Sequence, residues 1–204
     1  MTRPAQLALD LGHRPALGRE DFLVAPCNED AVAWIDRWPD WPGPALVIHG
    51  PAGCGKTHLA QVWRARAGAG EDSVIEDADR PGDDVALFHL FNRRAEDGGH
   101  LLLTARTPPA RWRDRLPDLV SRLAAVPTVE IGPPDDILVT QVLVKLFADR
   151  QIEVGPEVVS YLVTHMERSF DAARELVAAA DTAALAGKRA VTVPLVREVL
   201  AALS

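Results

Sequence analysis

Two cysteines, Cys27 and Cys54, are all that 204 residues contain. That is too few for a disulfide framework, so a reducing compartment is the default expectation. No apolar run approaches the ~18 residues a membrane span needs, which leaves no membrane partner to expect. No apolar core of a secretory leader follows Arg3, so a cytoplasmic protein is expected. Aromatics make up 5% of the chain, and lysine is rarer still: Lys56, Lys145 and Lys188 stand among 22 basic residues. The formal net charge is −7. Duplex binding rests on clustered positive charge that releases counterions, so direct, specific duplex binding is not expected. The histidines (13, 49, 58, 89, 100 and 165) show no metal-ligand spacing, so no zinc site is expected.

What is present is enough for a core: 48% of residues are hydrophobic and 25% charged, the balance of a globular chain. Residues 28–38 (NEDAVAWIDRW) put Ala31, Trp34, Ile35 and Trp38 on one helical face, with Asn28 placed to cap it. ALVIHG (45–50) is a short apolar run ending in glycine, the pattern of a strand buried on both faces. Further strands are expected at 73–77, 100–105 and 126–131, with helices from Thr57 to about Ala67 and over 83–97. Alternation of strands and helices with short loops implies an α/β fold around a parallel sheet. After Gly132-Pro133-Pro134 only helical patterns remain, near 135–149, 156–166, 170–186 and 193–202. The expected division is an N-terminal arm (1–14), an α/β base (15–132) and a small helical domain (133–204).

The sequence Gly50-Pro51-Ala52-Gly53-Cys54-Gly55-Lys56-Thr57 fits G-x-x-x-x-G-K-[ST] in full, after a strand and opening a helix. Glycines let the backbone wind so that successive N–H groups face phosphate oxygens. The helix N-terminus adds its positive end. Lys56 reaches the terminal phosphates and Thr57 offers a hydroxyl to Mg2+. Cys54 reads as a small tolerated side chain in this loop. Val74-Ile75-Glu76-Asp77 is an apolar strand ending in two carboxylates, as a Walker B motif does. One acid would orient the Mg2+ shell and the other would polarise water. Glu76 stands where Asp is usual, and the longer side chain moves the carboxylate by ~1.5 Å. Weak intrinsic hydrolysis is the expectation. Arg111, Arg113 and Arg115 alternate around Trp112; they read as a solvated, partner-facing loop, against the rarer reading of a base-stacking platform. Leu87, Phe88 and Phe91 follow helical spacing and read as core.

Several segments together resemble the DnaA-related AAA+ proteins: DFLVAPCN (21–28), the phosphate loop continued through His58 and Leu59, LLLTARTPP (101–109), LPDLVSRL (116–123) and SFDAAREL (169–176). The resemblance covers residues 20–203 and implies a P-loop AAA+ base, with a short parallel sheet, followed by an all-α lid. It is nearest to the Hda-type regulatory inactivators of DnaA, which lack the initiator's duplex-binding domain. It implies adenine nucleotide, ADP or ATP, with Mg2+ bound through Thr57 and Glu76. Residues 50–58 and the lid's Arg174 would contact it. It also implies Arg122 as an arginine finger offered to the γ-phosphate of ATP on a neighbouring DnaA, an effect worth up to about 10³–10⁵ in rate in GTPases. Taken alone, Arg122 reads first as a surface arginine paired with Asp118; for Arg174 a helix-face arginine near Asp171 is the lesser alternative. Ala105-Arg106 departs from the small polar or acidic residue usual in the sensor strand, and the 16 residues between Thr57 and Val74 leave no room for the family's additional edge strand. Residues 6–11 (QLALDL) resemble the hexapeptide with which such inactivators dock on the sliding clamp, the β subunit of DNA polymerase III. Gln6, Leu7, Leu9 and Leu11 are the implied contacts, and a homodimer stays open. Two other functions also fit the residues: an autonomous AAA+ ATPase acting like an initiator or helicase loader, and a scaffold with a vestigial nucleotide site.

Overall fold

The computed structural model describes residues 22–203. Gln6, Leu7, Leu9 and Leu11 lie outside the described residues. Four parallel strands form one sheet: β1 (Ala45–His49), β2 (Val74–Ile75), β3 (Leu101–Ala105) and β4 (Thr128–Glu130), in the order β2-β3-β1-β4. Ala45 lies opposite Leu101 and His49 opposite Ala105, while Val47 lies opposite Thr128 on the other side. The two central strands read as continuous apolar runs because helices cover both faces. Successive side chains still part by face. Leu46, Ile48 and Leu102 join Ile35, Leu59, Trp63 and other buried residues on one side. Ala45, Val47, Leu101 and Leu103 join Leu87, Phe91, Leu119 and Leu123 on the other.

The first face is covered by α1 (Glu29–Arg37) and α2 (Lys56–Ala67), the second by α3 (Asp84–Asp97) and α4 (Pro117–Leu123). Four further helices, α5 (Asp136–Asp149), α6 (Pro156–His165), α7 (Phe170–Gly187) and α8 (Val193–Leu203), bury a core of their own around Leu143, Phe147, Leu162, Val177 and Leu195. The sequence marks their starts. Asp83 caps α3 by accepting from the Ala86 N–H, Asp135 caps α5 at Leu138, and Ser169 caps α7 at Ala172. Each such cap contributes about 1 kcal/mol. Among the described residues no helix is long and apolar enough to cross a membrane.

Four sequence expectations change. Asn28 precedes α1 but does not cap it. It is buried, accepts from the Ala25 N–H and donates to the Leu23 carbonyl, which braces the 23–28 turn. The strand expected over 73–77 shrinks to Val74 and Ile75, because Ser73 closes a 3₁₀ turn and Asp77 turns away with φ of +50°. The helix expected over 28–38 ends at Arg37, so Trp38 follows it, although Trp34 and Trp38 both pack, half-buried, against the core that holds Ala31 and Ile35. Arg115 is no solvated loop residue: its guanidinium grips Asp84 with hydrogen bonds of 2.7 and 2.9 Å and reaches the Ala78 carbonyl. Trp112 is buried, with its indole N–H on the Thr107 carbonyl, so it presents no face for a base. Arg111 and Arg113 do stay exposed.

Candidate nucleotide site

The phosphate loop leaves β1 at Gly50 and enters α2 at Lys56. Its glycines are needed where they stand. Gly53 has φ of +66° and Gly55 φ of +99°, a region L side chains avoid. A Cβ on Gly50 would run into the Ile131 carbonyl oxygen, whose own residue is pinned by a 2.7 Å bond from its N–H to the His49 carbonyl. Lys56 is 8% exposed, and its ammonium donates to the Gly50 and Pro51 carbonyls at 2.8 and 2.7 Å. A cation stored at the mouth of the loop is positioned to exchange those carbonyls for phosphate oxygen. Cys54 is buried beside it. Burial pushes its thiol above the usual range, with the Lys56 charge opposing.

The second motif meets the first. Thr57 Oγ1 donates to Glu76 Oε2 at 2.8 Å. A hydroxyl and a carboxylate that close are the oxygen pair a hard divalent cation needs from a protein that leaves phosphates and water to complete the shell. Asp77 is placed differently. Its N–H rests on Thr104 Oγ1 at 3.3 Å and its carboxylate pairs with Arg80 at 3.1 Å. Thr104 itself is 2% exposed, a lone polar residue in the apolar LLLTA strand.

The lid closes over this loop. The Phe170 N–H donates to the Gly53 carbonyl at 2.8 Å, and a Cβ on Gly53 would meet Ser169. The first turn of α7 therefore rests on the phosphate loop itself. Arg174, one turn later, lies at the cleft and pairs with Asp171 at 3.0 Å, as its position three residues on allows. The resulting cleft of about 210 Å³ is lined by Ala52, Lys56, Thr57, Asp77, Thr104 and Arg174, among others including His58 and Arg106.

Arg122 stands elsewhere. It is exposed on α4, and it is not part of the cleft lining. Among the described residues no carboxylate pairs with it; its guanidinium lies 5.4 Å from the Phe88 ring centroid and 6.0 Å from that of Phe91. The expected alternative partner, Asp118, does not hold it. Phe88 is half-buried rather than core, and serves as the floor under this arginine.

One residue of the cleft, Thr104, and one that supports its lining, Asp79, were not among the sequence candidates. Asp79 accepts from the N–H groups of Arg106 and Thr107 at 3.0 and 3.2 Å and so fixes the turn that brings Arg106 to the cleft. Thr104 had a signal in the sequence, as the one hydroxyl inside a buried strand. Asp79 had none, because its partners lie 27 and 28 residues away.

Residues 136–200 match the family model described as Hda, lid domain. The fold is similar to domain III of the Thermotoga maritima replication initiation protein DnaA, with a TM-score of 0.78 at 18% identity over 92% of this chain and 96% of that one. It is also similar to AMPPCP-bound DnaA from Aquifex aeolicus, with a TM-score of 0.67 at 17% identity over 86% of this chain and 68% of that one. An uncharacterized protein of Haemophilus influenzae is 26% identical over 192 residues, which span 79% of this chain and 83% of the relative. The parallel four-stranded base with its glycine loop thus has the fold of DnaA domain III, and the helical domain that follows it matches the Hda lid model over residues 136–200.

Proposed function

We propose that this chain is a DnaA-related regulator of replication initiation that binds adenine nucleotide in cis and acts on a neighbouring ATP site in trans. The observation that carries this reading is that Arg122 stands exposed outside the chain's own cleft. Lys56, Thr57 and Arg174 line the chain's own cleft, with Glu76 bonded to Thr57, whereas Arg122 is exposed outside it with no carboxylate partner among the described residues. An arginine kept unpaired away from its own nucleotide is free to meet another. The match of the lid to the Hda family model and the similarity to DnaA structures, one of them bound to AMPPCP, support the choice of partner and of ligand.

In this reading the loop N–H groups and Lys56 hold the phosphates, and Arg174 contacts them from the lid. Mg2+, when bound through Thr57 and Glu76, supplies charge neutralisation at the terminal phosphates. Nucleotide would join base and lid, since the first turn of α7 already rests on Gly53. Arg122 then offers its guanidinium to the γ-phosphate of ATP held by DnaA, where negative charge develops during hydrolysis. Gln6, Leu7, Leu9 and Leu11 would dock the complex on the sliding clamp. Burial of each leucine contributes about 1.5–3 kcal/mol before the cost of ordering the segment. The engagement of the Asp77 carboxylate by Arg80 disfavours the autonomous-ATPase reading, because the acid that would polarise water is held by a cation.

The test is ATP hydrolysis by DnaA, with and without DNA-loaded clamp, in the presence of this protein or its variants. Arg122→Ala is expected to abolish the stimulation while nucleotide binding by this chain stays intact. Gln6→Ala and Leu9→Ala are expected to remove only the clamp-dependent part. Stimulation by all three variants equal to the parent's would overturn the reading.

A further inference from the structure

Beneath the sheet, at the end away from the phosphate loop, α1, α2 and α3 leave a cavity of about 260 Å³. Trp38, Trp63, Ser73, Arg94, Gly99 and His100 contribute to its wall. Three buried nitrogens of that wall have no hydrogen-bond acceptor: the indole N–H groups of Trp38 and Trp63 and Nε of Arg94. Trp63 is 1% exposed. The contrast within the chain is sharp. The buried indoles of Trp41 and Trp112 both donate at 2.8 Å, to the Trp34 and Thr107 carbonyls. Among the described residues, the two buried indoles without a partner are the two that line the cavity. A buried donor left unsatisfied costs about 1–3 kcal/mol, so three on one wall call for acceptors that the protein itself does not supply.

The wall defines the guest. It holds donors without acceptors, so the guest must bring acceptors. Three wall residues are aromatic, Trp38, Trp63 and His100, and they hold one another in place: His100 meets Trp38 edge-on, and Trp41, outside the wall, stacks on Trp63 with ring centroids 5.4 Å apart. That favours a flat guest. The one cation, Arg94, is already paired with Asp72 at 2.7 Å and Asp97 at 3.6 Å. Burial holds the His100 imidazole below its ordinary pKa, which keeps it neutral at pH 7. With two carboxylates against one guanidinium, an anionic guest would be repelled, and the volume admits one or two rings.

We propose that this cavity is a second ligand site, distinct from the nucleotide cleft, that takes a small, neutral, planar heterocycle bearing carbonyl or ring-nitrogen acceptors. The acceptors meet the indole N–H groups of Trp38 and Trp63 and the Nε–H of Arg94, and the ring lies against the aromatic wall. Such a site couples to the rest of the base through α2, which runs from Lys56 at the phosphate loop to Ala67 at the cavity.

The test is a titration of the ¹⁵N-labelled full chain, saturated with Mg-ADP to block the cleft, with uracil and with nicotinamide in the millimolar range. The indole N–H signals of Trp38 and Trp63 are expected to move downfield together while that of Trp41 stays in place. Trp63→Phe keeps a ring and removes one donor; it is expected to weaken uracil binding about fivefold, the factor for one lost neutral hydrogen bond. If that variant does not fold, Arg94→Lys, which keeps the charge beside Asp72 and removes Nε, supplies the same comparison. Unmoved indole signals with both probes would overturn the proposal. So would equal binding of benzene, which has no acceptor, or both indoles remaining bonded to exchanging water at saturating probe.

Discussion

The Thr57 hydroxyl donates to the Glu76 carboxylate across 2.8 Å, joining the phosphate loop to the edge strand of the sheet. The longer acidic side chain is what makes the contact from a strand that ends at Ile75. Glu76→Asp withdraws the carboxylate by ~1.5 Å. We expect the gain in nucleotide affinity on adding Mg2+ to fall about tenfold, or ~1.4 kcal/mol, with affinity in chelator unchanged. Calorimetric titration of ADP with and without Mg2+ checks this.

Gly53 joins a backbone conformation to a domain contact. Alanine there would adopt φ of +66° and place its Cβ 2.7 Å from Ser169 Cβ. The left-handed conformation alone costs an L residue about 1–2 kcal/mol. Gly53→Ala is expected to lift α7 from the loop and weaken nucleotide binding more than tenfold, with a smaller loss of thermal stability. Nucleotide affinity that matches the parent's would show that the lid contact is not needed for binding.

Asp84 and Arg115 form a buried pair, with side chains 16% and 6% exposed. The Arg115 hydrogen bonds hold the Asp84 carboxyl below its ordinary pKa of 3.8, with the Leu116 N–H helping and desolvation opposing. A depressed folded-state pKa stabilises the fold above the unfolded value, and that contribution is lost as pH falls through the folded value. Urea unfolding should therefore show the pair intact at pH 7 and fading below pH 3.8. Arg115→Met leaves a charged Asp84 inside and is expected to cost about 3 kcal/mol at pH 7. Asp84→Asn should lose the acid-sensitive part of the unfolding curve.

Cys54 has no exposed thiol and a pKa raised by burial. Thiolate is the reactive form. Iodoacetamide at pH 8 is expected to modify the half-buried Cys27 first and Cys54 only on unfolding. Rapid modification of Cys54 in the folded chain would contradict the packing of the loop.

Much of the base was legible because its signals are local. The apolar runs at Ala45–His49 and Leu101–Ala105 and the glycine spacing of the loop each act within a few residues. The failures share a cause. Asn28 has the right type and place for a cap, but the carbonyl of Leu23 and the N–H of Ala25 compete for its amide. Arg115 looked like one of three alternating basic residues until Asp84, 31 residues earlier, removed it from solvent.

The sequence by itself determined the glycine loop and the order of the helices and strands, since those depend on φ preferences, hydrophobic period and short-range hydrogen bonds. Only the tertiary structure decided which charges remain available. It left Arg122 exposed over Phe88 without a carboxylate among the described residues, and sank Arg115 beside Asp84. Charge pairing acts through space over a few ångströms, and distance along the chain carries no measure of it.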